Sequence, residues 1–132
     1  MHLVAARLND HRAVIEHKLY WATAASAAEA QYLCAILNAA IFTELVRPFM
    51  SYGKDERDFD KHIWQLPVPL YDPTDDLHRR LSAHGAELEV AIGQLELAPG
   101  RHFAAVRRDI REFIAESEAG KDVEELVEEL LS

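Results

Sequence analysis

The sequence predicts an α+β fold that is predominantly α, and three observations lead to that expectation. Apolar residues recur every three or four positions in four separate stretches, which is the period of an α-helix. Residues that cap or break helices separate those stretches. One short stretch near the N-terminus is rich in β-branched and aromatic residues. We therefore expect a short N-terminal strand or hairpin, a core helix, an extended Pro-x-Pro segment and a C-terminal helical bundle.

The predicted strand or hairpin comes first and the core helix follows it. The strand is predicted from its β-forming residues, which are Val14, Ile15, Leu19, Tyr20 and Trp21. Ser26 stands three residues before Glu29, the spacing at which the two side chains cap each other's backbone N–H groups. An apolar stripe follows, formed by Ala30, Leu33, Cys34, Leu37, Ile41 and Leu45. We expect Pro48 to end this helix and Asn38 to kink or divide it.

A polar segment from 51 to 62 reads as a loop, because it is charged and contains Gly53. After it come Pro67 and Pro69, which force an extended backbone and exclude a central strand. This Pro-x-Pro segment is therefore predicted as an edge strand or a polyproline-like stretch.

The C-terminal half reads as a bundle of three helices. Asp72-Pro73 is predicted to open the first, which carries a seam of alternating four- and three-residue spacings until Pro99-Gly100 breaks it. The seam consists of Leu77, Leu81, His84, Leu88, Ala91 and Leu95. The next helix shows the same pattern at Phe103, Val106, Ile110 and Phe113. Gly120 is predicted to separate it from a last helix, which Asp122 and Glu125 would open at capping-box spacing.

Length and composition fit one globular domain. The 132 residues, 49% of them hydrophobic and 28% charged, are expected to form a single domain 1–132, with a strand, helix and loop part at 14–73 and a bundle part at 74–132. No apolar run reaches the roughly 20 residues of a membrane-spanning helix. The N-terminus lacks a signal-peptide pattern, and Cys34 is the only cysteine. These features favour a cytoplasmic protein.

Charge is unevenly distributed along the chain. The formal net charge of -9 disfavours a general nucleic-acid coat, since phosphate binding depends on Lys and Arg. Residues 115–132 are strongly acidic, whereas 101–114 hold four arginines against Asp109 and Glu112. The overall charge therefore hides a basic stretch.

Four segments taken in order resemble the C-terminal end of large bacterial restriction-modification enzymes, the adenine-specific DNA methyltransferases. The segments are Leu19-Tyr20-Trp21, 29–38 with the sequence EAQYLCAILN, 59–73 with the sequence FDKHIWQLPVPLYDP, and 77–81 with the sequence LHRRL. In that family a helix ending near Ile-Leu-Asn precedes a variable loop, a Leu-Pro-Ile-Pro segment and a long helix. The resemblance covers most of the chain, from about Val14 onward, and its specificity comes from the order of the four segments.

The resemblance implies a module without catalytic activity. The Asn/Asp-Pro-Pro-aromatic motif and the glycine-rich turn that hold adenine and S-adenosylmethionine in that family do not occur here. We therefore expect no enzyme activity and no cofactor in this chain, which would be part of a longer protein, a gene fragment or a separate subunit. It would serve DNA target recognition or assembly with the catalytic and motor parts of the enzyme, so its partners would be those parts and, in the first case, DNA. The alternative is a helical protein-interaction module without DNA contact, with the seam or the acidic last helix as its interface and the seam as a route to a homodimer.

Two groups of basic residues are candidates for DNA contact. The first lies in the polar loop and comprises Lys54, Arg57, Lys61 and His62, with Tyr52 and Trp64 as stacking partners for bases. Four acidic residues among them favour the alternative of a solvated loop. The second comprises Arg101, Arg108 and Arg111, with Arg107 beside them. The alternative for these arginines is pairing with the acidic last helix.

The remaining candidate residues favour structural roles. The seven histidines show no metal-binding spacing on one helical turn, so we expect no metal site. His84 on the seam is predicted to pack between helices and to mark the register of a partner helix. Cys34 on an apolar face is predicted to be a small core residue.

Overall fold

A computed structural model describes residues 4–10, 12–15, 21–49 and 68–132, and the regular structure within these ranges is helical. The helices are α1 (Ala27–Asn38), α2 (Ala40–Val46), α3 (Asp76–Gly93), α4 (Phe103–Glu116) and α5 (Glu118–Leu131), with a short 3-10 turn at Arg47–Phe49. This confirms a predominantly α protein. No described helix has both the length and the apolar character needed to cross a bilayer.

The predicted N-terminal strand is not supported. Residues 12–15 and 21 lie in irregular backbone, and the part of the chain that the structure describes contains no strand. Val14 is 96% exposed and Trp21 is 67% exposed, so neither packs into a core as a half-buried strand requires. Leu19 and Tyr20 lie outside the described residues. The regular structure of the described ranges is thus helical, without the β part of the α+β prediction.

The start and the division of the core helix follow the sequence prediction. The Ser26 hydroxyl accepts a hydrogen bond from the Glu29 backbone N–H at 3.1 Å, which caps α1. Ala39 adopts extended backbone (φ -65°, ψ 136°), so the helix stops at Asn38 and resumes as α2 one residue later. Pro48 lies in the 3-10 turn directly after α2. The apolar stripe therefore belongs to two helices, which the extended backbone of Ala39 separates.

Helix α3 begins and ends inside the predicted bounds. Asp75, not Asp72, is its N-cap, and its carboxylate accepts from the backbone N–H groups of Leu77 and His78. The Asp72 carboxylate instead accepts from the backbone and hydroxyl of Thr74, and so closes the turn before the helix. The helix ends at Gly93, so Leu95 lies beyond it.

The boundary between α4 and α5 was also predicted at the wrong residue. Ser117, not Gly120 or Asp122, separates the helices, and its hydroxyl accepts from the Gly120 backbone N–H at 3.0 Å. Gly120 is buried inside the first turn of α5. A Cβ added there would overlap the carbonyl of Ile114 and lie 2.9 Å from Ser117 Oγ. The glycine is therefore needed for close approach of α4 to α5, and it does not break the helix.

The core lies where α1 packs against α3 and where α5 packs against α2 and α3. Its largest fully buried side chains are Tyr32, Phe42, Ile36, Leu81, Val46, Val127 and Thr43. Gly85 lets the backbones of α3 and α1 approach closely, because a Cβ there would overlap the carbonyl oxygen of Gln31. The seam is largely internal, since Leu81 and Leu88 are buried in this core.

Candidate nucleic-acid interface

The candidates for DNA contact in the polar loop are not among the residues that the structure describes. Lys54, Arg57, Lys61 and His62, together with Tyr52 and Trp64, lie outside the described residues. Their assignment to DNA contact stays a prediction.

The structure describes the arginines in and near α4, and Asp109 of the same helix lies beside two of them. Arg101, just before α4, forms an ion pair with Asp109, which also lies 4.0 Å from Arg108 Nε. The guanidinium of Arg107 lies over the ring of Phe103, 5.1 Å from its centroid. The ion pairs found here are thus with Asp109 of α4, and not with the acidic last helix as the sequence suggested.

Helix α4 is the most open element of the described fold. It packs chiefly on α5, and none of its fully described residues is buried. Phe103 is 62% exposed beside the arginines. The helix therefore presents a mixed surface of guanidinium groups, an aromatic ring and partly covered aliphatic residues.

Arg111 lies on the inner side of α4, apart from Arg101 and Arg108. It lines a cleft between α4 and the junction of α1 with α2, together with Asn38 and Ile114. The cleft continues towards α5, where Lys121, Glu124 and Glu125 line it. The three arginines of the sequence prediction thus do not form one continuous basic face.

Glu124 in this cleft has a structural task. Its carboxylate oxygens accept hydrogen bonds from the backbone N–H groups of Ala40 at 2.6 Å and Ile41 at 3.1 Å. These groups are at the start of α2, whose own N-cap residue, Ala39, has no side chain to cap it. Since both oxygens of Glu124 are engaged by the helix, this carboxylate is not poised to act as a general base.

A cluster of three rings joins the segments that carry the family resemblance. Tyr32 of α1 lies 5.2 Å from Tyr71 and 5.0 Å from His78 of α3, measured between ring centroids. The Tyr32 hydroxyl donates to the carbonyl of Pro69 at 2.8 Å, and His78 Nδ1 accepts from the Asp72 backbone N–H at 3.0 Å. The segments 29–38, 68–73 and 77–81 therefore meet at one place in the fold.

The ring cluster has a structural role. Tyr32 is fully buried, and burial raises its pKa to about 12, so the hydroxyl stays protonated at neutral pH. His78 is buried, with Nδ1 used as an acceptor and Nε2 directed towards Asp75 Oδ2 at 3.9 Å. Neither ring offers an exposed base or nucleophile.

His84 lies between α3 and α5. Its Nε2 is 3.6 Å from Asp122 Oδ2, and its Nδ1 is 3.4 Å from Glu87 Oε2. The side chain is 22% exposed, which agrees with the prediction of a packing residue. Within the described ranges, no three His, Cys, Asp or Glu side chains are grouped so that they could hold a metal ion.

Cys34 is partly buried on α1, and burial raises the pKa of its thiol. A raised thiol pKa lowers the thiolate fraction at neutral pH, which argues against a nucleophile. Cys34 is not among the buried core residues of the described ranges, so the prediction of a core position is not supported.

Sequence reasoning missed a set of polar contacts made by the N-terminal residues. The side-chain amide of Asn38 accepts from the Ala5 backbone N–H at 3.0 Å and donates to the Ala5 carbonyl at 2.8 Å. Arg7 forms an ion pair with Glu89 of α3. No local sequence pattern predicts contacts between residues that are so far apart in the chain.

Comparison with protein-family models, with curated proteins and with solved structures finds no match to this chain.

Proposed function

We propose that this chain is a non-catalytic C-terminal module of a restriction-modification DNA methyltransferase, and that its helical body serves assembly with the catalytic parts. The ring cluster at Tyr32 carries this proposal. Three of the four resembling segments are dispersed over about fifty positions of sequence, from 29 to 81, yet they pack on one another through Tyr32, Tyr71 and His78. Segments that form one structural unit are expected to be kept in the same order in related modules.

The described charges favour assembly over DNA contact for the helical body. Arg101 is paired with Asp109, and Arg111 lies in a cleft whose far end is lined by Glu124 and Glu125. Paired arginines release fewer counterions on binding DNA, so their contribution to affinity is small. The loop from 51 to 62 then remains the candidate for DNA contact within this module.

A DNA-binding titration tests how the two roles are divided. Fluorescence anisotropy of a labelled mixed-sequence duplex would be followed with the isolated chain, starting near ~50 mM salt. We expect weak, salt-sensitive binding that Lys54→Glu with Lys61→Glu abolishes. The matched pair Arg101→Glu with Arg108→Glu is expected to leave binding nearly unchanged. Loss of binding only in the second pair would instead place DNA contact on α4.

A deletion experiment tests the assembly role. Removing the module from the methyltransferase that contains it, or omitting it where it is a separate subunit, should reduce the yield of the assembled enzyme and its DNA methylation. Restoring the module with an Arg101→Glu substitution should recover both. Full methylation without the module would refute the proposal.

The alternative of a protein-interaction module without DNA contact is favoured by the exposed surface of α4. Phe103 and the neighbouring guanidinium groups form the kind of aromatic and arginine surface that is enriched at protein interfaces. A homodimer through the seam is less easily accommodated, because Leu81 and Leu88 are already buried between α3 and its neighbours. Absence of DNA binding at low salt, together with salt-independent self-association, would favour this alternative.

A further inference from the structure

The N-terminal residues 4–7, which we call the strap, cross α1 and α3 and are held by polar contacts. At one end, Asn38 meets both the N–H and the C=O of Ala5, as a neighbouring strand would. At the other end, Arg7 Nε lies 3.2 and 3.1 Å from the two carboxylate oxygens of Glu89, and Nη2 also donates to that carboxylate. Ala5 and Arg7 are two residues apart, and they contact neighbouring helices, α1 through Asn38 and α3 through Glu89.

The surface under the strap is one face of α1. Gln31, Cys34 and Asn38 follow one another at helical spacing along it. Asn38 also donates to the Cys34 carbonyl, and Gln31 hydrogen-bonds to Glu89. Cys34 stands on this face between Gln31, at the Glu89 end, and Asn38, which meets Ala5. The strap therefore passes beside Cys34 between its two attachment points.

The strap is attached without being built into the core. Val4 of the strap is 54% exposed, and Leu8, directly after the strap, is 61% exposed. Burial of apolar surface therefore contributes little to holding the strap in place. The Arg7 and Glu89 side chains are 27% and 41% exposed, which leaves their ion pair partly screened by water. A segment held in this way opens more easily than the helices beneath it.

We propose that the face of α1 formed by Gln31, Cys34 and Asn38, together with Glu89 of α3, is a binding site for an extended peptide, and that the strap fills it in cis. The site takes a main chain that offers one N–H and one C=O to Asn38, followed two residues later by an arginine for Glu89. The occupant in trans is the same segment of a second copy of this chain. The residues that form this site come from α1 and α3, whether or not the chain belongs to a methyltransferase.

Charge reversal at the arginine contact separates the cis occupant from the site. In the full-length chain, the tethered strap competes at an effective concentration of the order of mM, so a free strap peptide is expected not to bind the wild type. In Arg7→Glu the tethered strap is repelled by Glu89, and the site becomes open. A fluorescent synthetic peptide of residues 1–10 should then bind about two- to fivefold more tightly than it binds the wild type, as measured by anisotropy.

The matched control reverses both partners. The Glu89→Arg chain should bind the peptide that carries Arg7→Glu and reject the wild-type peptide, whereas the Arg7→Glu chain should show the opposite preference. The double variant Arg7→Glu with Glu89→Arg restores an attractive pair in cis, and it should again exclude both peptides. Because two single variants with opposite preferences are compared, misfolding of one does not decide the result.

The rate at which Cys34 reacts with an aromatic disulfide reagent gives an independent readout. Because Arg7 lowers the pKa of the Cys34 thiol and a glutamate there would raise it, the rates are compared per thiolate, after the thiolate fraction has been taken from the pH dependence of the rate in each variant. We expect this rate to rise about two- to fivefold in Arg7→Glu, as loss of a partly exposed ion pair implies, and to return in the double variant or on adding the wild-type peptide. Equal peptide binding by wild type and Arg7→Glu, or one Cys34 rate in all variants, would overturn the proposal.

Discussion

Replacing Gly85 by alanine is expected to destabilise the fold, whereas the same replacement at Gly93 on the same helix is expected to stabilise it slightly. A Cβ at Gly85 would overlap the carbonyl oxygen of Gln31 and lie 3.0 Å from its carbonyl carbon. A Cβ at Gly93 meets nothing within 4 Å. Because both positions are helical, the pair separates the intrinsic helix preference of alanine from the close approach of α1 to α3.

The size of the effect follows from the contacts at the crossing of these helices. Alanine gains about 1 kcal/mol over glycine inside a helix, and this gain is common to both sites, though smaller at the helix end. At Gly85 the opposing atoms belong to backbone, so α1 and α3 have to move apart, and overpacking of this kind costs about 1–3 kcal/mol. The separation also stretches the hydrogen bond of 2.8 Å from Ser82 Oγ to the Ala28 carbonyl, which is worth about 1 kcal/mol. We expect a net loss of about 1–3 kcal/mol for Gly85→Ala.

Urea denaturation followed by far-UV circular dichroism measures this difference. The midpoint should fall for Gly85→Ala and rise slightly for Gly93→Ala, with the same dependence on urea concentration in both variants. A Gly85→Ala variant as stable as Gly93→Ala would show that α1 and α3 do not approach each other closely at this crossing. The close packing of α1 on α3 in the core would then be refuted.

Three further predictions concern single side chains. Glu124→Ala should lower the free energy of unfolding by about 1–2 kcal/mol because the start of α2 loses its cap, while Glu125→Ala, exposed on the same helix, should leave the urea midpoint nearly unchanged. The pKa of Glu89 is lowered, chiefly by its hydrogen bond with Arg7, and a lowered folded-state pKa adds stability that is lost as the pH falls through it. The small stability difference between wild type and Glu89→Gln should therefore be complete at neutral pH, shrink once the pH falls below the ordinary carboxyl pKa of about 4.3, and vanish only below the lowered pKa of the folded state; a difference that grew on acidification would contradict this sign. Burial raises the pKa of Tyr32 to about 12, so an alkaline absorbance titration should contain an ionisation phase near pH 12 that Tyr32→Phe removes.

Local rules predicted those features of the fold that depend on neighbouring residues. Ser26 caps α1 as its spacing to Glu29 indicated, and the helix divides next to Asn38. Both features are decided within one helical turn, where side chain and backbone groups are within reach of each other whatever the rest of the chain does. The four helical stretches were found for the same reason, since their apolar period is a local property.

Helix boundaries were wrong where two residues of one type competed or where a small residue had a packing role. Asp72 and Asp75 are both able to cap a helix, and only the turn closed by Thr74 decides that Asp75 does so. A local rule predicts Gly120 to break the helix, because glycine commonly ends helices. Its actual requirement is the approach of the Ile114 carbonyl, which comes from the preceding helix. A rule based on local propensity does not contain that distance.

The candidate DNA site shows why a charge pattern along the sequence overstates a basic surface. Arginines at 101, 108 and 111 are spaced to share one helical face, but Arg101 precedes the helix and is paired with Asp109. Arg111 turns instead towards the cleft lined by Asn38 and Ile114. Ion pairing and the direction of side chains both depend on tertiary structure, so a count of charges fixes the composition of a surface and not its field. Within the described residues, the pairing of Arg101 and the separate position of Arg111 disfavour phosphate binding on α4 and favour the proposed role of the helical body in assembly.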